Sequence, residues 1–442
     1  MRNKGLKFID LFAGIGGFHI ALERLGYECV FASELSEELR GLYQKNHGME
    51  CHGDITKIDI NTIPTHDILC AGFPCQSFSK AGNQKGMQEA RGKLFDEILK
   101  TLSYHKPRYF LLENVRNLLT HDEGYTWEYI SKELSKLGYF FDKKILSPHH
   151  INIPHHRERI FIVGSLNNSD IENMEWIEKD GYNTSVDKIL SHSICKPNLG
   201  SEKTEVLNIW RKFINDLPIN VDPYSPLWTM EFGATYPVDV NWQKLKLKNW
   251  QEYKGNYGYS LSKCNNLDDV FNNLPNYVRT QKNNPPQWKQ RYIRNNRKFY
   301  NNYKKYINIT TLNSIKVLNQ ESWKKLEWNC KGSNKDFSDK LIQFRGSGVR
   351  IKKNDYIPSL VTVSTQIPII GKYMRYILPE EGARTQSLPD YIELPATKAA
   401  AFRVLGNMVN VELVYRVMFS LINKRQSKII KPEVLELEPS IF

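Results

Sequence analysis

The sequence predicts an α/β fold: a doubly wound sheet followed by a second, irregular domain. Two observations favour this class. Up to residue 165, short apolar runs alternate with amphipathic helical segments, which is the pattern of consecutive βαβ units. Over residues 165–370 the alternation stops, and Asn, Lys, Tyr and Trp become frequent.

The predicted elements of the sheet follow one another in order. The first strand covers 7–12, the helix after it covers 18–25 and ends at Gly26, and the second strand covers 27–33. Ser36 is the expected N-cap of a helix that reaches residue 46. Further strands are predicted at 67–71, 109–112 and 159–163, with helices at 93–104 and 125–137.

Regular structure returns near the C-terminus. Residues 399–405 are predicted to be helical, residues 406–410 interrupt the pattern, and residues 411–421 are helical again. Residues 426–442 are expected to form a loosely held tail.

The charge balance favours a polyanionic partner. The chain has 61 Lys and Arg against 48 Asp and Glu, a formal net charge of +13, and nucleic acid is the first candidate for such a partner. Residues 279–305 contain basic and aromatic side chains and no acidic residue, a mixture that suits contact with phosphates and stacking on bases. The alternative is a solvated basic surface on an ordinary domain.

Cysteine spacing and apolar runs indicate where the protein resides. The seven cysteines include no Cys-x-x-Cys pair, so we expect no disulfide framework and no metal site, as suits a reducing cytosol. No apolar run approaches the roughly 20 residues that span a bilayer, and residues 1–7 lead directly into the first strand. We therefore expect a soluble, cytoplasmic protein without a membrane segment.

A glycine-bearing turn joins the first strand to its helix. Gly14 and Gly16 leave the backbone open to close approach by a nucleotide-like ligand near the helix N-terminus. Glu34 follows the second strand and is placed to bind ribose hydroxyls, and Asp54 follows a possible third strand and could accept from an adenine amino group. The same spacing suits NAD, so this module alone does not settle the ligand.

Three reactive side chains stand at the ends of predicted strands. Cys75 follows Pro74 after the strand at 67–71, Glu113 ends the next strand, and Arg159 opens a later one. Strand ends in one alternating sheet can converge on a single crevice. There, a thiol, a carboxyl group and a guanidinium suit covalent attack on an electron-poor heterocycle. Each residue alone also has a structural explanation, as a buried cysteine, a turn cap or a surface ion pair.

Six blocks, in order, carry a family resemblance. They are Phe-Ala-Gly-x-Gly-Gly at 12–17, Gly-Phe-Pro-Cys-Gln-Ser at 72–77, Arg-Gly-Lys-Leu-Phe at 91–95, Glu-Asn-Val at 113–115, Arg-Glu-Arg at 157–159 and Gly-Asn-Met-Val at 406–409. The chain resembles the C5-cytosine-specific DNA methyltransferases of bacterial restriction-modification systems across residues 7–165 and 375–415.

The resemblance implies S-adenosylmethionine as the methyl donor, bound by a Rossmann-like methyltransferase sheet. By motif, Phe12 stacks on the adenine, Glu34 holds the ribose and Asp54 binds the adenine amino group. The remaining pocket residues implied are Pro74, Leu94, Asn407 and Val409. An NAD ligand would leave the Cys75, Glu113 and Arg159 blocks without a purpose.

The resemblance also implies the reaction. The Cys75 thiolate adds to C6 of cytosine, which makes C5 nucleophilic. Protonated Glu113 neutralises charge at N3, Arg159 binds O2, and Arg157 supports the loop or the sulfur. Both faces of the ring must be free, so the target cytosine has to leave the duplex stack.

The implied organisation has four parts. Residues 1–170 form the catalytic domain, 171–390 the DNA target-recognition domain, 391–425 a segment that completes the catalytic domain, and 426–442 the tail. The expected partner is double-stranded DNA, with a cognate restriction endonuclease acting separately, and the chain is expected to be a monomer associated with the bacterial nucleoid. Two alternatives stay open: an RNA cytosine-5 methyltransferase of the same lineage, and a DNA-binding protein that has lost catalysis.

Two positions depart from the family pattern. His155 stands where a glutamine is usual, and Leu378 stands where a threonine is usual. Both lie beside retained arginines and acids, so they put local hydrogen bonding in doubt rather than activity.

Overall fold

The computed structural model describes residues 5–74, 93–179, 184–191, 199–279, 283–360 and 367–423. Cys75 and the tail at 426–442 lie outside these residues. The chain divides into two compact units. The first comprises Met1–Ser191, Asp355–Thr362 and Leu378–Phe442, and the second comprises His192–Asn354 and Val363–Ile377.

The first unit extends further than the predicted catalytic domain. It takes in residues 171–191, 355–362 and 378–390, which the sequence analysis assigned to the recognition domain. Direct contacts explain the difference: the Ser191 N–H donates to Glu381 Oε1 at 2.9 Å, and Arg384 Nη1 donates to the Ile189 carbonyl at 3.0 Å. The first and last of these stretches therefore pack on each other within one unit.

Strands are numbered here in chain order. They are β1 (Lys7–Leu11), β2 (Glu28–Ser33), β3 (Ile68–Gly72), β4 (Tyr109–Val115), β5 (Phe140–Leu146), β6 (His155–His156), β7 (Arg159–Ser165), β8 (Leu227–Trp228), β9 (Lys325–Asn329), β10 (Lys340–Arg345), β11 (Gly348–Lys353), β12 (Ile357–Pro358), β13 (Ile369–Ile370) and β14 (Arg375–Tyr376).

The α-helices are numbered in the same way. They are α1 (Gly17–Glu23), α2 (Glu37–His47), α3 (Lys93–His105), α4 (Tyr125–Lys136), α5 (Asn168–Glu172), α6 (Ser201–Asp216), α7 (Leu247–Trp250), α8 (Leu267–Asn272), α9 (Asn276–Arg279), α10 (Gln287–Tyr303), α11 (Ile309–Lys316), α12 (Pro379–Thr385), α13 (Lys398–Asn407) and α14 (Val411–Ile422).

The sheet of the first unit confirms the predicted fold class. Its six strands are ordered β2-β1-β3-β4-β7-β5. The first four are parallel neighbours, and β7 runs antiparallel to both β4 and β5. Residues 68–71 of β3 and 109–114 of β4 are buried, because a largely parallel sheet is covered on both faces.

The sequence analysis did not identify β5. This strand lies at the edge of the sheet and is only half-buried along most of its length. Its centre, Asp142-Lys143-Lys144, is charged. An edge strand can carry charged residues, so it lacks the apolar run that revealed its neighbours.

The described residues of the second unit show no βα alternation, as predicted, but they include a six-stranded sheet. The strand order is β14-β13-β10-β11-β9-β8. Its core includes Trp210 and Phe213 of α6, packed with Leu326 and Ile342 of the sheet. Three of its strands are two residues long, too short to leave a periodic signal in the sequence.

One apolar segment of the first unit is longer than the sequence analysis allowed. Among the described residues, Lys398–Ile422 is long and apolar enough to cross a membrane by length and composition. It comprises α13 and α14, and 67% of its apolar window is buried inside the protein. The segment is therefore built like the core helices of a soluble protein, with α14 packed against α1.

Candidate active site

Several predicted site residues lie at one edge of the first unit's sheet, the edge formed by the carboxyl ends of the parallel strands β1 to β4. Gly72, at the end of β3, pairs with Glu113 of β4, and Val115 of β4 pairs with Arg159 at the start of β7. Because β7 is antiparallel to β4, its first residue lies beside the last residues of β4. Strand register thus brings Glu113 and Arg159 to the edge at which β3 leads into Pro74.

Glu113 and Arg159 form an ion pair there. Arg159 Nε lies 3.1 Å from Glu113 Oε1, with the carboxyl side chain 7% exposed and the guanidinium side chain 18% exposed. Burial raises the pKa of Glu113, and the positive charges of Arg159 and Arg157 oppose that rise without cancelling it. Glu113 therefore takes up a proton more readily than an exposed glutamate does, while a guanidinium stays beside it.

Arg157 is fully buried and connects two segments. Its backbone N–H donates to Ser147 Oγ at 2.9 Å, and its Nη2 donates to the Met408 carbonyl at 3.0 Å. Burial and the charge of Arg159 together lower the pKa of Arg157 to about 9, although Glu113 opposes the change. These contacts link the segment at Ser147 to the segment at Met408.

The predicted nucleophile, Cys75, lies outside the described residues. Pro74, the last described residue before it, is exposed. The buried Asn114 side chain donates from Nδ2 to the Phe73 carbonyl at 2.9 Å. Asn114 therefore fixes the chain two residues before Cys75, a role that the sequence analysis missed although its Glu-Asn-Val block contained the residue.

The glycine turn after β1 has a left-handed backbone at three positions. The φ angles are 59° at Phe12, 59° at Gly14 and 90° at Gly16. Such values suit glycine and are uncommon for a phenylalanine. A Cβ added at Gly14 would have no atom within 4 Å, so the space beside this turn is open.

Glu34 reaches this turn from the end of β2. Its Oε2 accepts from the Gly14 N–H at 3.0 Å, and its Oε1 accepts from the Ser36 N–H at 2.9 Å. An ionised carboxylate has about four acceptor positions, so each oxygen can still accept from a hydroxyl group. An acceptor beside an open glycine turn fits the ribose of a nucleoside ligand, and these residues therefore suit S-adenosylmethionine.

Asp54 caps a short helical turn. Its Oδ1 accepts from the Thr56 N–H at 3.0 Å and from Thr56 Oγ1 at 2.8 Å. The hydrogen bond from the Thr56 side chain lowers the pKa of Asp54. The third strand expected before it is an isolated bridge between Ser33 and His52, because the chain turns at once into Gly53.

Val409 of the C-terminal segment lies at the same edge of the sheet. A Cβ added at Gly17 would stand 2.7 Å from Val409 Cγ2, and one added at Gly72 would stand 3.8 Å from Glu113 Oε2 and 3.9 Å from Val409 Cγ1. Gly17 thus permits a close approach of Val409, which the structure brings near Glu113. Leu94 is half-buried near the start of α3, and Asn407 is exposed at the end of α13.

The two departures from the family pattern have different surroundings. His155 is fully buried, and its burial and the charge of Arg157 lower its pKa well below the usual value. Its imidazole is therefore neutral. Leu378 precedes α12, and its backbone N–H donates to Glu381 Oε2 at 2.9 Å.

Comparison with known proteins identifies the family. The sequence profile named C-5 cytosine-specific DNA methylase matches residues 6–423. The chain belongs to this family. Relatives include the type II methyltransferase M.HhaI of Haemophilus parahaemolyticus, 44% identical over 42% of this chain and 57% of that protein. The type II methyltransferase M.AluI of Cellulosimicrobium cellulans is 29% identical over 94% of this chain and 92% of its own.

The extent of these matches differs between relatives. The chain spans about half the length of M.HhaI and of the type II methyltransferase M.DsaV of Dactylococcopsis salina. Among solved structures, the S. pombe Dnmt2 methyltransferase covers 95% of this chain and 98% of its own, with 18% identity and a TM-score of 0.45.

Proposed function

We propose that this protein is a DNA (cytosine-5-)-methyltransferase. It transfers a methyl group from S-adenosylmethionine to C5 of a cytosine that has left the stack of a specific duplex sequence. The Glu113–Arg159 pair carries this proposal, because it presents a buried acid and a guanidinium at the edge where β3 leads into Pro74 and Cys75. Family membership supports it.

Cys75 starts the proposed reaction. Its thiolate adds to C6 of the cytosine ring, and the electron pair of the C5–C6 double bond moves toward N3. The raised pKa of Glu113 makes its protonation easier, and the protonated carboxyl group donates to N3 as negative charge develops there. C5 thereby becomes nucleophilic.

Arg159 and Arg157 act beside the acid. Arg159 donates to O2 of the cytosine and withdraws electron density in the same sense as Glu113. Arg157 holds the Met408 carbonyl and so supports the segment that carries Val409. After methylation, loss of the C5 proton and expulsion of the Cys75 thiolate restore the aromatic ring.

The turn after β1 and the C-terminal segment form most of the proposed cofactor pocket. Phe12 would stack on the adenine, Glu34 would accept from the ribose and Asp54 would accept from the adenine amino group. Gly14 and Gly16 form the turn, and the remaining pocket residues are Pro74, Leu94, Asn407 and Val409. The chemistry supplied by bound S-adenosylmethionine is an electrophilic methyl group on a sulfonium sulfur, which C5 takes up.

The second unit would contact DNA, and α10 is the element we assign to phosphate contact. Arg291 and Lys298 are exposed and lie seven residues apart, about two helical turns, so they share one face of α10. Arg297 has a different role, because its Nε donates to the buried Glu231 at 2.9 Å. The basic segment found in the sequence thus separates into a solvent-facing row and a structural pair.

The biological setting is inferred from the family. The named relatives are type II methyltransferases, so we propose a restriction-modification system whose endonuclease acts separately. We further propose a monomer that works in the bacterial cytoplasm in association with the nucleoid.

Methyl transfer to defined substrates tests the proposal. We expect the purified protein to move the labelled methyl group of S-adenosylmethionine onto cytosine C5 of duplex DNA, and Cys75→Ser to abolish transfer while DNA binding persists. Methylation of transfer RNA but not of duplex DNA would favour the RNA methyltransferase alternative. DNA binding without any transfer would favour a protein that has lost catalysis.

A further inference from the structure

A buried cluster of His and Tyr side chains lies beneath the glycine turn, and the reaction described above does not use it. His19 of α1 and Tyr43 of α2 share a hydrogen bond of 2.6 Å between Nδ1 and the hydroxyl. The His19 and His47 rings stack with centroids 4.1 Å apart and planes 20° apart. His47 is the member that reaches the turn.

His47 contacts the turn in two ways. Its Nε2 lies 2.9 Å from the Ile15 carbonyl, and since a carbonyl only accepts, Nε2 carries the proton and donates. A Cβ added at Gly16 would stand 2.2 Å from the same Nε2. The imidazole thus occupies the space that a side chain at Gly16 would need, and it holds the carbonyl of the residue before.

Protonation of the two stacked imidazoles is disfavoured. Burial lowers the pKa of His19 to about 3, with His47 acting in the same direction. Burial also lowers the pKa of His47, although the Ile15 carbonyl opposes this. Two cationic imidazoles at this separation would repel each other, so the stack disfavours protonation of both rings together.

The end of α2 also contacts the segment that precedes α13. Asn46 Nδ2 donates to the Glu393 carbonyl at 3.1 Å, and the Glu393 N–H donates back to Asn46 Oδ1 at 2.9 Å. Lys45 Nζ lies 2.6 Å from Glu393 Oε2. Residues 45–47 therefore hold both the glycine turn and the segment that leads into α13, whose end carries Asn407.

We propose that His47 is a positioning residue for the cofactor: by holding the Ile15 carbonyl and filling the space at Gly16, it keeps the glycine turn in the conformation that binds S-adenosylmethionine. This inference rests on the proposed function for the identity of the cofactor. His47 does not touch the reacting atoms, so its loss acts on cofactor affinity and not on the chemical step.

Two substitutions at His47 distinguish the effect of its hydrogen-bond donor from the effect of its ring. His47→Phe keeps a ring that can stack on His19 but has no donor for the Ile15 carbonyl, whereas His47→Gln keeps an amide donor. We expect His47→Phe to raise the dissociation constant for S-adenosylmethionine, and for S-adenosylhomocysteine, about 10-fold in titration calorimetry, the loss of about one hydrogen bond. His47→Gln should recover most of the affinity for the cofactor. In both variants, kcat and the KM for DNA should stay within twofold of the wild type.

His105→Phe is the matched control. Its Nε2 also meets a backbone carbonyl, that of Ile60 at 3.1 Å, but this contact lies away from the glycine turn. We expect unchanged cofactor affinity for this variant. Asn46→Ala, which removes the two hydrogen bonds between Asn46 and Glu393, provides a second test and should weaken cofactor binding about threefold even where His47→Phe does not fold.

The outcomes separate this inference from the proposed function. Wild-type affinity in both His47→Phe and Asn46→Ala would overturn it, and so would equal weakening by His47→Phe and His105→Phe. A wild-type protein that binds S-adenosylmethionine but does not methylate DNA would overturn the proposed reaction, while the calorimetric shift of His47→Phe would still decide the role of His47. A wild-type protein that binds neither ligand would overturn both.

Discussion

Arg159 Nε lies 3.1 Å from Glu113 Oε1, and strand pairing accounts for this distance. Arg159 pairs directly with Val115 across the β4–β7 ladder. Glu113 precedes Val115 by two residues and so projects from the same face of β4. The acid and the guanidinium are therefore diagonal cross-strand neighbours, a relationship set by the register of two core strands.

Replacement of the buried acid should remove catalysis and leave the fold intact. We expect Glu113→Gln to lower kcat by about 10²- to 10⁴-fold, because the amide cannot pass a proton to N3. Glu158→Gln is the control, since Glu158 pairs with the exposed Arg116 and should retain activity. Single-turnover methylation measures both variants, and a Glu113→Gln variant with wild-type kcat would show that Glu113 has no role in proton transfer.

Loss of the buried guanidinium should destabilise the first unit. Arg157→Met removes the hydrogen bond to the Met408 carbonyl and leaves that carbonyl without its partner, at an expected cost of about 1–3 kcal/mol in the free energy of unfolding. Arg116→Met, at an exposed position, should unfold like the wild type. Urea denaturation compares the two, and equal stabilities would mean that the Met408 contact contributes nothing.

Asp10 should make stability depend on pH. Its carboxyl group is fully buried, and burial raises its pKa well above the usual 3.8. The folded chain keeps this proton while the unfolded chain loses it, so stability relative to Asp10→Asn should fall as pH rises above 3.8, by about 1.4 kcal/mol per pH unit until the folded pKa is reached. Urea titrations at pH 5 and pH 7 measure the difference. A constant difference would indicate an ionised Asp10 in the folded protein.

The exposed row of α10 should govern the salt dependence of DNA binding. Each of Arg291→Gln and Lys298→Gln should weaken binding to all duplex sequences alike and reduce the slope of log K against log salt by about 1, because each phosphate contact releases about one counterion. Arg297→Gln should instead destabilise the second unit, since it leaves the buried Glu231 without its guanidinium. Unchanged slopes in the first two variants would remove α10 from the interface.

Much of the first unit could be predicted because apolar periodicity and motif order report the same elements. The Ser36 cap, for instance, is confirmed by a hydrogen bond from the Leu39 N–H to its Oγ at 3.4 Å. The strand-end positions of Glu113 and Arg159 were predictable from the ends of apolar runs. Their pairing required the antiparallel register of β7, which no local pattern specifies.

Other features depend on contacts between distant residues. Arg157 reaches a carbonyl 251 positions away, and His47 meets Ile15 across 32 positions. A single sequence does not reveal such pairs. In α10 the basic composition indicated a surface, but only the position of the buried Glu231 distinguishes the structural Arg297 from its exposed neighbours.

Covalent trapping of Cys75 is the most direct test of the proposed mechanism. Duplex DNA with 5-fluorocytosine at the target position cannot release its C5 substituent as a proton, so the thiol adduct should persist. With S-adenosylmethionine present, denaturing electrophoresis and peptide mass spectrometry should find the DNA bonded to Cys75, and Cys75→Ser should give no adduct. A wild-type enzyme that methylates cytosine DNA yet forms no adduct, or an adduct on another residue, would contradict the account.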